Sequence, residues 1–215
     1  MRKARFLATL PLALLASPVL AQNVAWTVSE VSGPAVIHDS QGEHPVRRGT
    51  VVIPGASLST GAGSRVVVVH GKDFMTVNAN SRFRIPLASE QRGLFDVLQE
   101  WGNALFQIEK KPDPHFGVRT PYLAAVVKGT TFSITVTEKG ASLQVLEGAV
   151  ETSTLDGGAR DMIRPGIVAT VAAVDRQRLI VQGQQSRTID SPQRPTEGPA
   201  GNSGDGKGSG TEGTG

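Results

Sequence analysis

The residues able to do chemistry are few and scattered along the chain. Four histidines stand at His38, His44, His70 and His115. None is followed by a second His, Asp or Glu at the i+2 or i+4 spacing that sets two ligands on one element. His38 falls at a strand end, His44 and His115 in loops and His70 at a turn, all places for solvated side chains. Cysteine is absent, which excludes disulfides, thiolate metal sites and a cysteine nucleophile. No Gly-x-Ser-x-Gly elbow occurs. Gly61-Ala62-Gly63-Ser64 begins like a dinucleotide fingerprint, but it lacks the third glycine and leads into valines where a helix is needed. Two strands can bring any Asp and Glu together, so the sequence neither excludes nor favours a carboxylate pair for glycoside hydrolysis. The expectation is a protein without catalytic residues, metal or cofactor.

The elements that would hold any site are strands. Thr131–Thr137 alternates Phe132, Ile134 and Val136 with Thr131, Ser133, Thr135 and Thr137, the period of a half-buried pleat. Arg82-Phe83-Arg84-Ile85 alternates likewise, whereas Val66–Val69 is uniformly apolar and reads as buried on both faces. Glycine corners at Gly71, Gly140, Gly157-Gly158 and Gly166 separate runs at short spacing. The fold class is therefore all-β: antiparallel sheets packed as a sandwich, or a short solenoid-like stack. One short helix is expected near 90–101, capped by Ser89, with Leu94, Val97, Leu98 and Trp101 at i, i+3, i+4 and i+7. The Pro112-Asp113-Pro114 loop divides an earlier block, Val24–Lys111, from a later one, His115–Gln182.

Both ends differ from this middle. Met1–Arg5 is cationic, Phe6–Ala16 apolar, and Val19-Leu20-Ala21 offers small residues at the −3 and −1 positions, the pattern of a signal peptide cleaved after Ala21. Phe6–Ala21 is short of the roughly 20 apolar residues that span a bilayer. The expected location is periplasmic or secreted, with no membrane span after cleavage. Set Arg2, Lys3 and Arg5 aside and 19 of the 22 basic residues remain against 19 acidic ones, so the net charge of +3 makes no case for nucleic acid. Residues 183–215, rich in glycine and polar side chains, read as a disordered tail without core contacts. The domain expectation is signal peptide 1–21, β domain 22–182, tail 183–215.

Within the domain, Val118-Arg119-Thr120-Pro121 followed by Ala125-Val126-Val127-Lys128-Gly129-Thr130-Thr131-Phe132 resembles the signature of the FecR domain. Val145-Leu146-Glu147-Gly148-Ala149-Val150 is similar to the family's later strand, and Arg164-Pro165-Gly166 to its glycine corner. Upstream, Val46–Thr50 and Pro54–Gly61 resemble its opening section. The resemblance spans Val46–Gly166 and implies an all-β fold. In the best-understood members the domain is the periplasmic part of a single-span regulator, which relays a signal from an outer-membrane iron-siderophore receptor to a cytoplasmic sigma factor. Here a signal peptide is expected where such a chain has its cytoplasmic segment and span.

The residues themselves suit a framework. Pro121 ends a strand by fixing φ, Gly129 fits a bulge or close approach, and the Thr120 and Thr130 hydroxyls can satisfy backbone groups. Arg119 and Lys128 carry the signature's only charges: ligand contacts in one reading, outward-facing strand residues in the other. Arg119, Thr120, Pro121, Lys128, Gly129, Thr130 and Phe132 are thus the candidate binding residues. The first functional expectation is a non-enzymatic envelope module that binds a protein or polymer through a sheet edge or face. The second is an ancillary sensor or regulator of a sigma-factor pathway of the iron-uptake type, and the third a polysaccharide hydrolase.

Overall fold

Period-two burial runs through most of the described strands. A computed structural model describes residues 25–87, 89, 90, 94 and 97–195. The strands of the first block are β1 (Trp26–Ser32), β2 (Ala35–Asp39), β3 (Gly42–Pro45), β4 (Val51–Val52), β5 (Ser57–Thr60), β6 (Arg65–His70), β7 (Asp73–Val77), β8 (Arg82–Arg84) and β9 (Val97–Gln107). The second block adds β10 (Phe116–Arg119), β11 (Leu123–Val127), β12 (Thr131–Thr137), β13 (Gly140–Glu147), β14 (Val150–Thr154), β15 (Arg160–Ile163), β16 (Val168–Ala172), β17 (Asp175–Gln182) and β18 (Arg187–Asp190). No helix occurs among the described residues.

The strands form two sheets. One runs β4-β1-β6-β7-β9-β12-β13-β16-β17-β18. The other runs β3-β2-β5-β8-β9-β10-β11-β14-β15. Every pairing is antiparallel except β9 with β10. Successive hairpins alternate between the sheets, so the sandwich is also a stack, and one core cluster gathers the inward side chains of both. Phe106 and Phe132 stack at its centre, ring centroids 4.9 Å apart.

β9 belongs to both sheets. Its first half pairs with β8 and β10, its second half with β7 and β12. Gly102 makes the crossing at φ +82°, where an added Cβ would lie 2.2 Å from Ser81 Oγ. This strand replaces the expected helix from Val97 onward; residues 91–93, 95 and 96 lie outside the described residues. The alternation was hidden by a polar residue in the core. Val97 and Gln99 both point inward, and Gln99 is held there by donating Nε2 to Gly102 O and Ile134 O, each at 3.0 Å, while its buried Oε1 has no partner among the described residues.

Two further expectations change. Val66 and Val68 are buried but Val67 and Val69 only half so; β6 is an alternating strand. The two blocks on either side of the Pro112–Pro114 loop share the pairings of β9 and one core cluster. The segment from 183 is not a free tail in its first part. β18 pairs with β17, Ile189 packs on the core, and Ser191 is buried. A polar strand is held there by ion pairs rather than apolar alternation: Arg178 with Asp190 (2.6 Å), Arg194 with Asp175 (3.0 Å) and Arg187 with Asp161. The expected signal peptide, 1–21, and the tail beyond 195 lie outside the described residues.

Candidate interaction site

The signature residues sort into a framework and a face. Thr120 closes the turn between β10 and β11. Its Oγ1 accepts from the Tyr122 and Leu123 N–H groups (3.1 and 2.9 Å) and donates to Leu123 O (3.0 Å), while its own N–H also reaches Leu123 O (2.9 Å). Pro121 sits exposed on that turn. Thr130 Oγ1 donates to Ala149 O at 2.9 Å, tying the start of β12 to the β13–β14 corner. Gly129 adopts φ +138°, and a Cβ there would fall 2.3 Å from Lys110 Cα. The close approach lets Lys111 N–H donate to Lys128 O (2.7 Å) and Ile108 N–H to Thr130 O (3.1 Å). Phe132 is wholly buried.

Arg119 and Lys128 belong to the outer face of β10 and β11. Val118, Leu123, Ala125 and Val127 point into the core, so the residues between them point away from it. One rung across four strands is Gly117, Val126, Glu151 and Met162; the next is Arg119, Ala124, Ser153 and Arg160. Two residues on from the first rung, in the other direction, come Lys128, Ala149 and Arg164. With Pro114, Val126, Glu151 and Met162 they line an open groove of about 290 Å³. Met162 is 39% exposed, and Val126 and Ala149 are half-buried. The sequence reading missed Glu151, Met162 and Arg164 as part of this face; only the β11–β14–β15 register brings them together.

The sheet edges offer less. β3 ends in Pro45, which has no N–H to give. On β15 the Met162 N–H donates to Asp161 Oδ1 (2.8 Å), and Arg187 clamps that carboxylate. Asp156 braces the same end. Partial burial pushes its carboxyl pKa up, but hydrogen bonds from Ser191 (2.6 Å), Thr154 (2.5 Å), the Gly158 N–H (3.1 Å) and Gln177 outweigh that and hold it below its ordinary value.

The four histidines do not converge. His70 stacks on Trp26 with centroids 4.9 Å apart, His44 lies 3.4 Å from Asp39, His115 turns Nδ1 toward Asp113 O, and His38 is exposed. Among the described residues no three His, Asp or Glu side chains form a possible metal cluster. His70, Lys72, Asp73, Glu109, Lys111 and His115 line a second hollow beside Phe116. Its charges are mutually engaged: Lys72 binds Glu109 at 2.7 Å, raising the lysine pKa and lowering that of the glutamate, and Asp73 Oδ1 accepts the Glu109 N–H at 2.8 Å.

Residues 56–151 match the family model described as FecR protein. Over that stretch the chain resembles the FecR domain. The match encloses the whole Val118–Phe132 signature and both charged residues of the outer face within it. The chain is also similar to two crystal structures of a "putative anti-sigma factor" from Parabacteroides distasonis, at 20% identity and a TM-score of 0.48 in each case. That likeness covers 60% of this chain and 60% of the other, so the chain spans less than two thirds of that protein's length. No curated protein matches this chain.

Proposed function

We propose that this protein is a non-enzymatic sensor in a sigma-factor signalling pathway, acting after export through contact with a separate membrane-bound partner. The observation that carries the reading is the FecR match over residues 56–151. The geometry supports it: most of the signature is spent on framework, and its two charges stand on one open face of a braced sheet. A stiff sandwich with its side chains displayed outward suits recognition, because little conformational freedom is lost on binding. A general envelope-binding module, the broader reading, names no pathway; the family match favours the regulatory one.

Deletion of the gene tests it, with transcript levels of sigma-factor-dependent and iron-uptake genes as the readout. A change restored by the gene in trans is expected, and unchanged expression would overturn the proposal. Export is tested by fractionation: the mature chain is expected in periplasm or medium with Gln22 at its N-terminus, and an uncleaved cytoplasmic chain would refute it.

A further inference from the structure

We propose that the outer face of β10, β11, β14 and β15 is the docking surface for an extended acidic segment of a partner protein; the inference rests on the sensor reading and gives it a site. The middle of the face is apolar, made by Val126, Ala149 and Met162. Lys128 and Arg164 flank Ala149 at one end, two strand spacings or about 10 Å apart. Neither has an ion-pair partner among the described residues, in contrast to the Lys72–Glu109 and Arg178–Asp190 pairs elsewhere. Arg160 adds a cation on the next rung, its guanidinium donating to Gly157 O. Glu151 is the single acid of the two rungs and the groove.

Charge complementarity selects the occupant. Lys128 and Arg164 beside the one carboxylate attract an anion, and exposed cations with no ion-pair partner cost the least desolvation when they bind one. The apolar floor selects among anions. A polyanionic polymer has no use for Val126 and Met162, whereas an extended peptide alternates side chains and can set acidic groups on Lys128 and Arg164 with an apolar one between. Strand addition at β15 is the poorer alternative, since Asp161 already occupies the Met162 N–H on that edge.

The test is photo-cross-linking of the full chain in its native cells, with p-benzoylphenylalanine replacing Met162, and Val174 as the control position. Val174 is 97% exposed on the distant β16–β17 turn. The expected result is an adduct at 162 and not at 174, mapping by mass spectrometry to an acidic segment with interleaved apolar residues in one other protein. K128E/R164E should reduce the adduct at least tenfold and K128R should keep it. Melting curves of the variants check folding, with K128Q/R164Q as the milder pair. An adduct to a polymer, to a second copy of this chain, or one unmoved by charge reversal would overturn the proposal, as would none above the control. If gene deletion alters transcription while position 162 captures nothing, the site is wrong and the sensor reading stands. If transcription is also unchanged, both fall.

Discussion

Gly129→Ala should be far more damaging than a single methyl suggests. The residue sits at φ +138°, a conformation that L side chains rarely adopt. Strain of this kind costs about 1–3 kcal/mol. The new Cβ would also fall 2.3 Å from Lys110 Cα, a backbone atom that cannot rotate away. Moving the two chains apart weakens the Lys111 N–H to Lys128 O and Ile108 N–H to Thr130 O bonds, each contributing about 1 kcal/mol net. Together these give a loss of about 2–5 kcal/mol. At roughly 2–4 °C per kcal/mol for a domain of this size, Tm should fall by at least about 4 °C. The assay is urea unfolding followed by fluorescence, with Gly166→Ala as the reference. Gly166 also has positive φ, +82°, but an added Cβ there meets nothing within 4 Å, so only the conformational cost applies. If both variants lose the same stability, below about 1.5 kcal/mol, close approach at Gly129 is not what requires glycine.

Other outcomes follow from the same contacts. Thr120→Val keeps the shape but removes the hydroxyl that serves Tyr122 N, Leu123 N and Leu123 O; a loss of about 1–3 kcal/mol is expected in chemical denaturation, and a neutral result would deny the turn its role. Truncation after Gly183 removes β18 and should lower Tm by several degrees, because Ile189 and Ser191 leave the folded structure; an unchanged Tm would mean the strand does not hold in solution. Acid should release the same segment first. Asp156 and Asp190 have folded pKa values below their unfolded ones, so their stabilisation is full above the ordinary aspartate range and is lost as pH falls through the lowered values. Hydrogen exchange should show β18 losing protection below about pH 4 while β12 and β13 keep theirs; simultaneous loss would contradict this. Arg187→Ala, which frees Asp161, should raise exchange in β18 and β15 with little change in global stability, as expected of an exposed ion pair.

What the sequence reveals follows from which residues obey a simple period. β12 shows its alternation openly, and its buried and open sides fall where the residue types place them. β9 does not, because Gln99 is a polar residue with two backbone partners in the core, one of them on β12. A hydrophobicity pattern cannot anticipate a partner 35 residues away. β18 hides for the opposite reason: its side chains are mostly exposed, and ion pairs and a strand ladder hold it. The groove is hidden more deeply. Val126, Glu151 and Met162 are ordinary strand residues until register aligns them, and register belongs to the folded sheet rather than to any one segment.

The arrangement also shows how a short signature sets both the framework and the residues displayed on its outer face. In a strand with one side buried, each framework residue fixes the side of its neighbours. Thr120 sets the β10–β11 turn, and with it the pairing of Arg119 with Ala124 and of Gly117 with Val126. Gly129 fixes the approach of residues 110 and 111 to the end of β11, and hence the exposed position of Lys128. Slipping that hairpin by one residue would turn Leu123, Ala125 and Val127 outward and bury Lys128, a cost of several buried apolar side chains at about 1–2 kcal/mol each before any charge is counted. The motif thus holds its two cations in place through core packing, and a substitution in the framework alters the face even though it touches nothing on it.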